Sequence, residues 1–141
     1  MGAWGTGSFD NDTACDWAHD LKETSDLSLI ESTLDKVLKV GAEYLDASEA
    51  EEALAAAETV ARLKGNWGIR DSYTEIMDKW VETTRITPPQ ALIEKAMKGI
   101  ERVLSGPSEL LELWGEVEGF IAWEESVKDL SRRLKAENAL S

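Results

Sequence analysis

Apolar residues recur every three or four positions through almost the whole 141-residue chain, which is the spacing of a buried helix face. Leu27, Ile30, Leu34 and Val37 form the clearest stripe of this kind. No segment shows the alternating apolar and β-branched pattern that is typical of a strand. The sequence therefore predicts an all-α fold, a single-domain bundle of about five or six helices joined by short loops.

Two of the predicted helices begin at a capping box, the S-x-x-E pattern in which serine and glutamate bond to each other's backbone N–H groups. Ser28 with Glu31 and Ser48 with Glu51 fit this pattern. Gly65 provides the left-handed stop that is typical of a helix end. We therefore expect a helix from Ser28 to just before residue 41, and another over residues 48–64.

Proline and glycine mark the later helices. Thr87 and Pro88 suit the cap and first turn of a fifth helix, and Pro107 precedes the last one. The apolar stripe of the last helix continues almost to the C-terminus, so we expect one long helix there. Gly115 and Gly119 are the positions at which it would bend.

The chain opens with the glycine-rich segment MGAWGTGSF, whose glycines lower helix propensity and permit tight turns. We expect residues 1–9 to form an irregular arm and residues 10–137 to form the bundle. Trp4 and Phe9 would fill a hydrophobic groove between helices. Asn11, or the aspartate before it, would cap a first helix that runs to about Lys22.

Acidic residues dominate the charge: 28 Asp and Glu stand against 15 Lys and Arg, and the formal net charge is −13. Residues 1–64 alone carry 14 acidic and 5 basic side chains. Such a field repels phosphate backbones and anionic lipid and attracts basic surfaces. We expect no direct nucleic-acid or membrane binding, and either a basic protein partner or a solvated surface that keeps the protein soluble.

Targeting signals and cysteine use predict the compartment. The N-terminus has no basic region followed by an apolar run, and the apolar stretches are far shorter than a membrane span. Cys15 is the single cysteine, which agrees with a reducing compartment, and we interpret it as a small buried apolar residue. These features predict a cytoplasmic protein.

Catalytic and cofactor motifs are not found. Cys15 and His19 lie four residues apart, but no oxyanion hole or orienting third group accompanies them. The N-terminal glycines do not match the dinucleotide fingerprint, since no strand precedes them and the spacing differs. We therefore predict no catalytic residue and no cofactor.

Three carboxylates, Asp12, Asp16 and Asp20, recur at four-residue spacing and so share one face of the first helix, with His19 beside them. This ladder is either a solvated helix face or part of a divalent-metal site, although the calcium-loop pattern is missing. Among the tryptophans, Trp67 lies in a glycine-flanked turn and is the candidate for an exposed contact.

The opening MGAWGTGSFDNDTACDW is similar to the signature M-G-x-W-G-x-G-x-F-x-N-D-x-A-x-D-W of a bacterial family, domain of unknown function 4259. The segments EEALAAAE at 51–58 and SELLELW at 108–114 resemble the family as well. The resemblance implies a small cytoplasmic bacterial protein and provides no catalytic residue. The matching positions are Trp4, Gly5, Gly7, Phe9, Asn11, Asp12, Asp16 and Trp17.

Three functional hypotheses follow. The first is a non-catalytic module that binds a basic protein, such as an immunity protein that neutralises a nuclease toxin, with Asp12, Asp16, Asp20 and Trp67 as contacts. The second is a metal-dependent enzyme that uses the acidic face of the first helix. The third is a structural component of an oligomer.

Overall fold

The computed structural model describes residue 5 and residues 7–138 of the chain, and these contain seven α-helices and no strand. The prediction of an all-α fold is confirmed. The helices are α1 (Asp12–Lys22), α2 (Ser28–Lys39), α3 (Ala47–Leu63), α4 (Glu75–Thr84), α5 (Gln90–Val103), α6 (Glu109–Gly115) and α7 (Phe120–Lys135). Within the described ranges, no helix is long and apolar enough to cross a bilayer.

The helix count exceeds the predicted five or six because the expected long last helix is two helices. Gly115 ends α6, and Gly119 adopts a left-handed backbone with φ of 93° directly before α7. That conformation is favourable for glycine and strained for other residues. The chain therefore turns sharply here, and Trp114 stacks on Trp123 across the turn with ring centroids 5.7 Å apart.

The two predicted capping boxes are wrong. The N-cap residue of α2 is Leu27, not Ser28, and Oδ1 of the preceding Asp26 accepts a hydrogen bond from the Ser28 backbone N–H. At α3, Ser48 lies inside the helix, and Oε1 of the distant Glu109 accepts from the Ala47 N–H at 2.7 Å. A carboxylate from outside each helix thus bonds the N–H group of its first residue.

The start of α1 was predicted correctly, and the start of α5 was not. Asn11 caps α1 as predicted, because its Oδ1 accepts from the Ala14 N–H at 2.8 Å. The fifth helix begins at Gln90, later than Thr87 and Pro88 indicate, because the chain is still extended at Pro89.

Helix α3 is the centre of the bundle and packs against all six other helices. Its residues from Ala53 to Leu63 are buried on every side. A helix that is surrounded by neighbours has no solvent side. Five of these eleven residues are alanines, which let the neighbours approach closely.

Aromatic side chains fill the space around α3. Phe9 is 1% exposed, so this part of the N-terminal arm fills the core as predicted, while Trp4 lies outside the described residues. Trp17, Trp80 and Trp114 are buried, as their helical spacing predicts.

The end of α3 also holds the end of α7. The Lys64 ammonium donates hydrogen bonds to the carbonyl oxygens of Leu134 and Ala136, and the Asn66 amide donates to the Arg133 carbonyl at 2.8 Å. Because the last carbonyls of a helix have no partner within it, these side chains cap α7 from a different part of the chain.

Candidate binding surface

The carboxylates predicted on α1 form an exposed row. Asp12, Asp16 and Asp20 are all exposed, as is His19 beside them. None of the three carboxylates forms a salt bridge within the described part of the chain. Asp12 lies in the first turn, where the helix dipole stabilises negative charge, but Asp16 has no such local role.

A metal site on this row is not favoured by the geometry. Within residue 5 and residues 7–138, no group of three or more His, Cys, Asp or Glu side chains is placed to hold a metal ion. Cys15 is only half-buried, contrary to its interpretation as a buried apolar residue, and its thiol donates to the Phe9 carbonyl. Burial, together with the carboxylates of Asp12 and Asp16, raises the pKa of the Cys15 thiol, which disfavours the reactive thiolate.

Helix α3 extends the acidic surface from its N-terminal half. Burial raises the pKa of Glu51, a hydrogen bond from Thr13 lowers it, and the charges of Asp12 and Glu109 raise it. Carboxylates from α1, α3 and α6 therefore lie close enough to repel one another.

Glu52, the next residue of α3, is in a similar position. Burial raises its pKa, nearby Lys36 lowers it, and the charges of Glu49 and Asp20 raise it. The acidic surface thus continues along α3 to the C-terminal end of the α1 row.

Tyr44 adds an aromatic side chain at the other end of this surface. It is 51% exposed, and its pKa is raised to about 12, first by a hydrogen bond to Glu112 and further by burial and by the charges of Glu112, Glu109 and Asp46. Tyrosine is enriched at the centres of protein interfaces. We call this whole surface the acidic face; its members are Asp12, Asp16, Asp20, Tyr44, Asp46, Glu49, Glu51, Glu52, Glu109 and Glu112.

A cleft of about 370 Å³ lies between the end of the N-terminal arm, the loop after α3 and the exposed side of α7. Its lining includes residues 7–10 of the arm, Ile69, Asp71 and Thr74 of the loop, and four residues of the first turns of α7. Three charged side chains from the core, Glu58, Arg62 and Arg133, form its floor.

Those floor residues belong to a buried ion network. Arg62 is 2% exposed, and its guanidinium donates to Glu58 at 2.9 Å, to Asp78 at 2.7 Å and to the Ile69 carbonyl at 2.7 Å. Arg133 pairs with both oxygens of Glu58, at 2.7 and 2.9 Å. Every charge in the network is therefore paired, as burial of ions requires.

The network sets the protonation of Glu58. Burial alone would raise the pKa of this carboxyl, but the hydrogen bonds and positive charges of Arg133 and Arg62 outweigh it and lower the pKa. Glu58 is therefore ionised at neutral pH and is held in place by two guanidinium groups.

The loop after α3 is shaped around the same arginines. A Cβ atom added at Gly68 would lie 3.0 Å from the Arg133 guanidinium carbon, so the backbone packs directly on that group. The ring of Trp67 is half-buried, and the guanidinium carbons of Arg62 and Arg70 lie 5.5 and 4.3 Å from its centroid. The contacts of Trp67 are thus with the network, not with the α1 row, and its predicted role as a partner contact stays a prediction.

This buried ion network is not among the features predicted from the sequence. Glu58 and Arg62 lie four residues apart inside an alanine-rich segment, and this charged pair among small apolar residues was the available signal. Asp78 and Arg133 come from other helices, so their participation depends on tertiary packing.

Most residues of the N-terminal motif have a structural role. A Cβ at Gly5 or Gly7 would lie 2.6 or 3.0 Å from the Asp10 carboxylate, which accepts a hydrogen bond from the Gly7 N–H. The Trp17 indole donates to the Thr33 hydroxyl at 2.9 Å. The motif thus shapes the turn that leads into α1 and joins α1 to α2.

The fold and its surface define an all-helical bundle built on a buried central helix, with many unpaired carboxylates outside. The sequence model of the family described as Domain of unknown function (DUF4259) matches residues 2–126, and the chain belongs to this family. That description assigns no activity. A search of curated proteins and a search of solved structures found no significant match.

Proposed function

We propose that this protein is a non-catalytic binding module whose acidic face binds a basic protein. The observation that carries the proposal is the crowding of carboxylates from α1, α3 and α6 around Glu51 and Glu52, whose pKa values are raised first by burial and further by these neighbouring charges. A cationic partner would relieve this repulsion, so binding would gain free energy that the free protein lacks.

The exposed part of the surface suits rapid capture of such a partner. The α1 row provides charge without internal salt bridges, and Tyr44 provides aromatic contact area between acidic side chains. Opposite charges steer association and raise its rate at low ionic strength. An inhibitor or immunity protein for a nuclease toxin would use this arrangement, because an acidic face can occupy a site that is shaped for nucleic acid. We place this function in the bacterial cytoplasm.

Affinity capture from the native cells tests the proposal. Tagged protein would be incubated with lysate at low and high salt, and the retained proteins identified by mass spectrometry. We expect a basic protein that is retained at low salt and released at high salt. Retention of the same partner at both salt concentrations would contradict the electrostatic mechanism.

A charge-matched pair of variants locates the surface. The triple variant Asp12→Asn, Asp16→Asn and Asp20→Asn should lose the partner. The control removes three exposed carboxylates elsewhere: Glu94→Gln, Glu101→Gln and Glu118→Gln. If both triple variants lose the partner equally, net charge and not the acidic face is responsible, and the proposal is wrong.

A further inference from the structure

We infer that the cleft between the arm and α7 receives a cationic side chain, arginine or lysine, from a segment of the partner in which that side chain is flanked by aliphatic residues. This inference rests on the proposed function, since it assigns to the basic partner a second point of contact. It concerns residues that are separate from the α1 row.

The charges that line the cleft favour a cation. Five carboxylates and two guanidinium groups face it. The guanidinium groups are already neutralised, because Arg62 and Arg133 are paired with Glu58 and with Asp78 or Asp129. The remaining carboxylates, Asp10, Asp71 and Glu125, form no salt bridge within the described residues.

An anionic occupant would meet guanidinium groups at the floor that are already bonded to protein oxygens. Each nitrogen of the Arg62 guanidinium donates to a protein oxygen, and the same is true of Arg133. An anion would also be repelled by Asp10, Asp71 and Glu125, which line the same cleft. Charge complementarity therefore selects a cation near the mouth of the cleft.

Two of the unpaired carboxylates are held in place by the backbone. One oxygen of Asp10 accepts from the Gly7 N–H at 2.9 Å. One oxygen of Asp71 accepts from the Tyr73 N–H at 2.9 Å and from the Thr74 N–H at 3.2 Å. The second oxygen of each has no hydrogen bond to a described residue, so an incoming N–H donor meets an acceptor that is already oriented.

Exposed apolar side chains lie at the edge of the cleft beside the carboxylates, which points to a side chain on a polypeptide more than to a small free ion. Ile69 is 82% exposed at the edge of the cleft, and Ala122 is exposed on the opposite wall. Ile121, which is 75% exposed, lies one helical turn before Glu125. Arginine and lysine lay their aliphatic stems along such surfaces while the charged head reaches a carboxylate.

An NMR titration with a defined probe tests the inference. The probe is an acetylated and amidated peptide of the sequence Ile-Arg-Ile, and its matched control carries citrulline, which has nearly the shape of arginine and no charge. At low salt, we expect the arginine peptide to shift amide signals in residues 69–74 and 122–129. The citrulline peptide should shift them several-fold less at the same concentration.

Single substitutions check the site. Glu125→Gln should weaken binding of the arginine peptide about two- to fivefold, the range for one exposed ion pair. Ile69→Ser should weaken it as well by removing apolar contact. Glu94→Gln removes the same charge from an exposed position outside both the cleft and the acidic face and should leave the affinity unchanged.

Three results would overturn the inference: equal binding of both peptides, shifts confined to the acidic face, or unchanged affinity in Glu125→Gln. These outcomes are separable from failure of the proposed function. If the peptide binds in the cleft but no basic protein is captured from cells, the proposed function fails and the cleft assignment stands. If capture requires the α1 carboxylates but tolerates Glu125→Gln and Ile69→Ser, the cleft assignment fails and the proposed function stands.

Discussion

The two halves of α3 use the same carboxylate group in opposite ways. In the N-terminal half, Glu51 and Glu52 are half-buried beside other acids, and their pKa values are raised. Less than two turns further on, Glu58 is buried between Arg62 and Arg133, and its pKa is lowered. One half therefore stabilises the bundle, while the other reduces stability in the free protein and leaves negative charge for a partner.

Neutralising Glu58 should have the largest effect. Glu58→Gln leaves the Arg62 and Arg133 guanidinium groups buried with less than their compensating charge, so we expect the free energy of unfolding to fall by about 3–5 kcal/mol. Urea denaturation followed by tryptophan fluorescence measures it. The exposed substitution Glu94→Gln is the control and should change stability by less than about 0.5 kcal/mol.

The loss of stability caused by Glu58→Gln should depend on pH. Because the folded-state pKa of Glu58 is lowered, its contribution is fully present above the unfolded-state pKa of about 4.3 and is lost as pH falls through the folded-state value. The stability difference between wild type and Glu58→Gln should therefore shrink in this acidic range. A difference that is constant from pH 7 down to pH 3 would contradict the assigned role of the ionised carboxylate.

Gly68→Ala should have an intermediate effect. The added Cβ would lie 3.0 Å from two guanidinium atoms of Arg133, which the paired Glu58 prevents from moving freely. We expect a loss of about 1–3 kcal/mol from this overpacking, measured by urea denaturation. Gly115→Ala is the matched control, because a Cβ there meets nothing within 4 Å and alanine favours the helix. Equal effects of the two substitutions would mean that the Gly68 contact is not tight.

The smallest change in stability is expected from substitutions in the N-terminal half of α3. The double variant Glu51→Gln and Glu52→Gln should be more stable than wild type at pH 7 by up to about 0.5 kcal/mol, since both groups are partly solvated. Because both folded-state pKa values are raised, ionisation costs stability above them, and this cost disappears as pH falls towards the unfolded-state value. The advantage of the double variant should therefore vanish near pH 4. A less stable double variant at pH 7 would show that these carboxylates support the fold.

Helical periodicity was enough to predict the fold class, because one buried stripe per helix is a local property of the sequence. The start of α3 was predicted to within one residue, but the carboxylate that bonds its first N–H was not, since Glu109 lies 62 residues from Ala47. From the sequence, Gly119 was expected only to bend the last helix, because the apolar spacing continues through it. Val117 and Ile121 continue this spacing but are exposed in the structure, and the helix breaks at Gly119.

The candidate surface was predicted in part for the same reason. The α1 row follows from a four-residue spacing, and Asp12, Asp16 and Asp20 are indeed exposed together. The contributions of α3 and α6 to the acidic face depend on packing between helices. The cleft forms where the arm, a loop and α7 lie side by side, and the local sequence does not indicate that these segments are neighbours.

The capping of α7 by Lys64 and Asn66 has a consequence for the order of folding. About seventy residues separate these side chains from the carbonyls that they bond, so the contact closes a very long loop. Such contacts form late, once the intervening helices have already shortened the path. The last turn of α7 should therefore dock at the end of folding and detach first, and Lys64→Met would accelerate unfolding in stopped-flow measurements while leaving the refolding rate nearly unchanged.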